Sequence, residues 1–173
     1  MRLETPDNLS FVYRLRSISL TKKIAMSSQQ DLNEKMNRLL ATYQVHYQNL
    51  RAIHWNIKGT NFFELHLKYE ELYTRTQVVI DDLAERILTL GITPLHRFVD
   101  YLEHSALKEN VTIHDGKEGM TYILSAQETI LSLEREILSE SADLGDEGTN
   151  SMISDLVREK EKTNWMFAAW LGK

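Results

Sequence analysis

The sequence predicts an all-α protein, a four-helix bundle with one long crossover. Three observations predict it. Apolar residues recur at helical rather than alternating spacing, only Pro6 and Pro94 interrupt the chain, and a long stretch separates the second helical segment from the third. From about Asp31 a stripe runs through Leu32, Met36, Leu39, Leu40, Tyr43, Tyr47, Leu50 and Ile53, and it ends near Trp55 at the turn KGTN. Asn61 opens the second helix, with Glu64 three residues on in capping-box spacing, and Gly91 with Pro94 supplies its stop. That helix is about 30 residues, or about 45 Å, long. The connection over 92–111 carries a short helix around YLEHSALKE. A third long helix is expected from Thr112 or Asp115 to Ser141, then the turn ADLGDEGTN and a last helix from about Asn150 to Leu171.

Composition narrows the function classes. With 42% hydrophobic and 26% charged residues, residues 26–173 suffice for one domain with a sizeable core. The absence of cysteine excludes disulfides, thiolate catalysis and cysteine-held zinc, so any metal must be bound by nitrogen and oxygen. No apolar run is long enough to cross a bilayer and the first residues lack a continuous apolar signal core, so the expected location is cytoplasmic, with no membrane partner. Residues 1–25 hold five Lys/Arg against two Asp/Glu, a net +3 that leaves −8 for the rest of a chain at −5. Their periodicity is weak, and they read as a mobile N-terminal arm. Met26, followed by SSQQDLNEK, is a second candidate start.

The chemistry concentrates on the second helix. His66 with Glu70 and Asp81 with Glu85 are i,i+4 pairs, and each pair projects from one face. At 100° per residue Asp81 falls about 60° from His66, so both pairs share one broad stripe, yet about 22 Å of helix separates them. No single ion spans that distance, because metal–ligand bonds are near 2 Å. The KGTN turn returns His54 to the His66–Glu70 end, so the chain offers half a site at each end of the helix. Two copies packed antiparallel about a dyad near Gln77 would complete two identical sites. The plainer reading makes His54 and His66 helix-end residues satisfied by backbone carbonyls, and Trp55 a packing anchor. His46, His96, His104 and His114 have no assigned role.

The segments HWNIKGTNFFELH and DDLAERILTLG and the terminal WMFAAWLGK resemble the Dps family of miniferritins, over residues 30–173. That resemblance implies a ferritin-like bundle in a hollow dodecamer that oxidises Fe(II), with hydrogen peroxide preferred over dioxygen, and stores the ferric mineral. It implies iron ligands at His54, His66 and Glu70 of one chain and Asp81 and Glu85 of its mate, with Trp55 beside the iron as a redox neighbour. The family often carries aspartate where this chain has Glu70. An imidazole–carboxylate set suits Fe(II), with Zn(II) or Mn(II) as substitutes, whereas no Glu-x-x-His for a centre inside one bundle occurs in the chain. Asp143, Asp146 and Glu147 resemble the acidic lining of the family's three-fold pores; they also read as a solvated turn with Asp146 or Thr149 as helix cap. Arg2, Arg14, Arg16, Lys22 and Lys23 offer a sparse basic tail, so at most weak, salt-sensitive DNA binding is expected. The competing reading is a non-catalytic, DNA-compacting helical assembly with structural histidines.

Overall fold

The computed structural model describes residues 7–109 and 112–173, with side chains from Ser28 onward. Among the described residues there are five helices and no strand: α1 (Asp7–Asn56), α2 (Phe62–Thr89), the short α3 (Phe98–His104), α4 (Gly116–Asp143) and α5 (Glu147–Trp170). Helix α1 packs on α2, α3 and α4, and α4 packs on α5. This is the expected all-α bundle, with α3 carried on the crossover.

The first helix starts well ahead of the expected Asp31, and its backbone is helical from Asp7. Helix α3 lies three residues before its expected place, and α5 begins at Glu147 rather than Asn150. The N-terminus of α2 departs from the expected capping box. Asn61 is the cap residue, but it sits in the left-handed region (φ 62°) and its side chain makes no capping bond. A capping side chain needs an extended backbone at that position; here Asn61 instead supplies a conformation that few non-glycine residues tolerate, and so turns the chain tightly after Gly59 (φ 90°). The other caps form as chemistry dictates. Asp115 accepts the Glu118 amide at 2.9 Å, and Asp146 accepts that of Thr149 at 3.0 Å. Gly91 (φ 78°) closes α2, with the Ile92 amide donating to the Ile87 carbonyl.

The core divides into two apolar clusters. One joins Leu32, Met36, Leu39 and Leu40 to Leu83, Ile87, Ile137 and Ile153, and the other joins Leu50, Ile53 and Ile57 to Leu65, Tyr69, Ile123 and Phe167. A polar layer lies with them in the bundle interior. Glu134 is fully buried, His46 is 2% exposed and Gln127 is 5% exposed. The Tyr43 hydroxyl donates to Glu134 Oε1 at 2.5 Å, and Lys160 Nζ stands 3.7 Å from the same oxygen.

Burial, with the nearby Lys160 ammonium adding to it, holds the His46 pKa down at about 3 from an ordinary 6.5. The unfolded chain takes up this proton near pH 6.5 and the folded chain refuses it until about pH 3. The stabilisation is therefore complete above pH 6.5 and is lost as pH falls toward 3. Replacing His46 with Leu is expected to flatten the fall in thermal midpoint between pH 6.5 and 4; an unchanged profile would show that His46 is not the group responsible.

Candidate metal centre

The α1–α2 corner is held by its two histidines. His54 Nδ1–H donates to the His66 carbonyl at 2.8 Å, and His66 Nδ1–H donates to the His54 carbonyl at 3.0 Å. The rings stack with centroids 3.7 Å apart and planes 22° from parallel. A carbonyl only accepts, so each ring must carry its neutral-state proton on Nδ1, which leaves the Nε2 lone pair unprotonated. Orientation of a ligating imidazole by a second-shell carbonyl is a common arrangement at metal sites. The plainer reading of these histidines is thus met at Nδ1 without consuming the nitrogen that a metal would use.

Two aromatic residues that sequence reasoning missed complete this corner. Phe62 stacks on His66 at 5.0 Å, and Tyr73 meets His54 edge-on at 5.2 Å. Phe62 lies four residues before His66, a spacing that places both on one helix face. Trp55, 57% exposed, carries the Arg51 guanidinium 4.6 Å over its ring.

Helix α2 has two unlike faces. Counting from His66 at 100° per residue, Glu70, Asp81 and Glu85 fall at about 40°, 60° and 100°, and Phe63, Leu67, Val78 and Leu88 at about 60°, 100°, 120° and 40°. Glu70, Asp81 and Glu85 are exposed, and so are these four apolar side chains. Leu65, Tyr69, Thr76, Val79, Leu83 and Ile87 are buried on the opposite face. Glu70, Asp81 and Glu85 form no hydrogen bond or ion pair with the described residues, so no internal cation neutralises them. Among the described residues no three His, Asp or Glu side chains converge closely enough to hold an ion. The described residues of one chain therefore present candidate donors without a complete set.

The acidic turn divides in use. Asp143 and Glu147 are exposed. Asp146 caps α5 and pairs with Arg86 at 2.5 Å, while Arg86 also donates to the Thr149 hydroxyl. Burial pushes the Asp146 pKa up, but the Thr149 and Arg86 hydrogen bonds and the guanidinium charge outweigh it and hold the carboxyl below its ordinary value. The side chains of Arg14, Arg16, Lys22 and Lys23, and Arg2 entirely, lie outside the described residues. His96 and His114 are exposed, with Nδ1 of each on a backbone carbonyl, and His104 is exposed.

The tautomer assignment has a direct check. Long-range nitrogen–proton NMR of the metal-free protein above neutral pH is expected to show His54 and His66 protonated on Nδ1 and bare on Nε2. The reverse pattern would mean that the ring nitrogens assigned to metal are occupied by protons.

Residues 31–173 match the ferritin-like domain family. A DNA protection during starvation protein of Porphyromonas gingivalis is 37% identical over 80% of this chain and 87% of its own length. General stress protein 20U of Bacillus subtilis is 37% identical over 83% of this chain and 99% of its own. Among solved structures, a Dps protein of Vibrio cholerae, described as one of the ferritin-like diiron-carboxylate proteins, superposes with a TM-score of 0.82 at 47% identity, covering 84% of this chain and 91% of that one. Dps of Staphylococcus aureus superposes with a TM-score of 0.80 at 32% identity, covering 83% of this chain and 96% of that one. An all-α bundle of matching topology, with a sequence match over most of its length, makes this chain a member of the ferritin-like family, in its Dps branch.

Proposed function

We propose that this protein is an iron-storing ferroxidase whose centres form between two copies of the chain. The observation that supports it is the outer face of α2, where His66 and an unpaired Glu70 at one end and the unpaired carboxylates of Asp81 and Glu85 at the other share a single stripe edged with apolar side chains. Bare carboxylates on an unpaired helix face repel one another and favour a bound cation, and exposed Phe63, Leu67, Val78 and Leu88 supply apolar area for a contact with a second helix. Antiparallel packing of two α2 helices brings His54, His66 and Glu70 of one chain to Asp81 and Glu85 of the other. The dyad makes two such sites at once.

Fe(II) is the substrate. A neutral imidazole and several carboxylates, without thiolate, suit it, and Zn(II) or Mn(II) would compete for the same donors. Carboxylate charge also favours the ferric product over the ferrous reactant, which assists oxidation. Hydrogen peroxide accepts two electrons from two ferrous ions and leaves two hydroxides, so the reaction removes peroxide without releasing a radical. Trp55, exposed beside His54, is a one-electron donor near the site. Assembly into a hollow dodecamer would hold the ferric mineral inside, and Asp143 and Glu147 would draw Fe(II) electrostatically toward entry points. The role is protection against oxidative stress and starvation in the cytoplasm.

Shared sites are tested by complementation. Chains with His54→Ala and His66→Ala, or with Asp81→Ala and Glu85→Ala, are each expected to lose nearly all Fe(II) oxidation, read by absorbance with peroxide as oxidant. Unfolding and reassembling the two together restores about a quarter of native activity, because half of the dimers are mixed and each mixed dimer has one intact site of two. No recovery from the mixture, with both parents folded, would rule out a site shared between chains.

DNA binding rests on the basic arm alone. At low salt the full chain is expected to shift duplex DNA weakly and without sequence preference, and a version beginning at Met26 to shift none, since affinity follows the number of phosphates neutralised and rises with the number of linked copies. Equal, tight gel shifts by both would place DNA binding elsewhere.

A further inference from the structure

The polar layer of the bundle core contains a second charged centre that the surface site does not use. Glu134 is fully buried; its Oε1 takes the Tyr43 hydroxyl and faces Lys160, and its Oε2 has no hydrogen-bond partner among the described residues. His46 Nδ1 and Gln127 Oε1 are likewise buried and unpartnered. Both line a cavity of about 50 Å³ shared with Tyr43, Lys160, Arg75 and Glu159. Arg75 and Glu159 satisfy each other, with guanidinium–carboxylate hydrogen bonds of 2.9 and 2.8 Å, which leaves Glu134 Oε2, Gln127 Oε1 and His46 Nδ1 as electron-pair donors around Lys160, the chemistry of a cation site.

The cation paired with Glu134 is the Lys160 ammonium. Only 11% of its side chain is exposed, Glu134 is its ion-pair partner, and it lies 5.0 Å from the centroid of the Tyr43 ring. Burial lowers the Lys160 pKa and raises that of Glu134, while the Coulomb attraction of each for the other opposes both shifts. A buried charge persists only with a counter-charge beside it, and the Tyr43 hydroxyl and ring supply the remaining contacts.

We propose that this polar layer is a built cation site occupied by the chain's own Lys160 ammonium, and that it accepts a small external cation, a divalent metal or an alkylammonium, once that ammonium is removed. In the native chain the tethered amine keeps metal out of the bundle core. Iron chemistry is thereby confined to the α2 surface. The two sites share no residue, so this inference and the surface reading can fail separately.

The test uses chains carrying His54→Ala and Asp81→Ala, which removes surface ligands, titrated anaerobically with Co(II) and followed by visible absorption. With Lys160 present no core binding is expected. Lys160→Met, which keeps the apolar stem and deletes the charge, and Lys160→Ala, which also frees volume, are expected to gain a cobalt equivalent that Glu134→Gln removes. Lys160→Ala is also expected to recover thermal midpoint in methylammonium relative to sodium at equal ionic strength. Lys160→Arg, which keeps the charge, should fold and bind no cobalt. A Glu134-dependent gain of either cation supports the proposal. Gain of neither, survival of binding in Glu134→Gln, or core cobalt in Lys160→Arg overturns it.

Discussion

The crossed pair of hydrogen bonds between His54 and His66 is the constraint on which the α1–α2 corner depends. Each ring is tied to the backbone of the other helix, so the end of α1 and the start of α2 cannot separate or rotate without leaving two buried or half-buried polar groups unpaired. The same bonds determine which nitrogen of each ring carries a proton. One arrangement thus sets both the geometry of the hairpin and the chemical identity of the groups that it presents.

That corner gains meaning from the division of α2 into two faces. Its buried face, from Leu65 to Ile87, is spent on the bundle core, and its outer face combines carboxylates with large apolar side chains. Uncompensated charge beside exposed apolar area is an unfavourable surface for an isolated chain. In the proposed assembly a second copy and a cation would remove both liabilities together, which would couple assembly to metal binding. Incompleteness of the chain is the physical root of the proposed activity.

The bundle interior solves the opposite problem. Glu134 lies in sequence among the buried α4 residues Ile130, Leu131, Leu133 and Ile137 and accepts the Tyr43 hydroxyl from α1, and its charge is met internally by Lys160. Placing the counter-charge on the chain makes the core independent of metal supply. Asp146 is treated in the same way at the other turn, where Arg86 and the cap of α5 use its charge locally. Glu134 and Asp146 are answered within the chain, whereas Glu70, Asp81 and Glu85 on the outer face of α2 have no partner among the described residues.

By itself the sequence determined the helical class, the crossover and the hairpin at KGTN, and it offered the candidate ligands of the two proposed half-sites, because 3.6-residue periodicity and i,i+4 spacing are local properties that a one-dimensional pattern records. It also contained, unread, the signal for the polar layer: Glu134 stands four residues after Ile130 and three before Ile137, and Lys160 four after Leu156, each a charge within an apolar stripe. Only the tertiary structure decided that these two charges meet, that Asn61 turns left-handed instead of capping, and that α1 reaches back to Asp7 beyond the end of its apolar stripe. It alone decided the histidine tautomers as well. Those outcomes depend on which groups from distant parts of the chain come within hydrogen-bonding or Coulombic reach, a quantity that spacing along one helix does not contain.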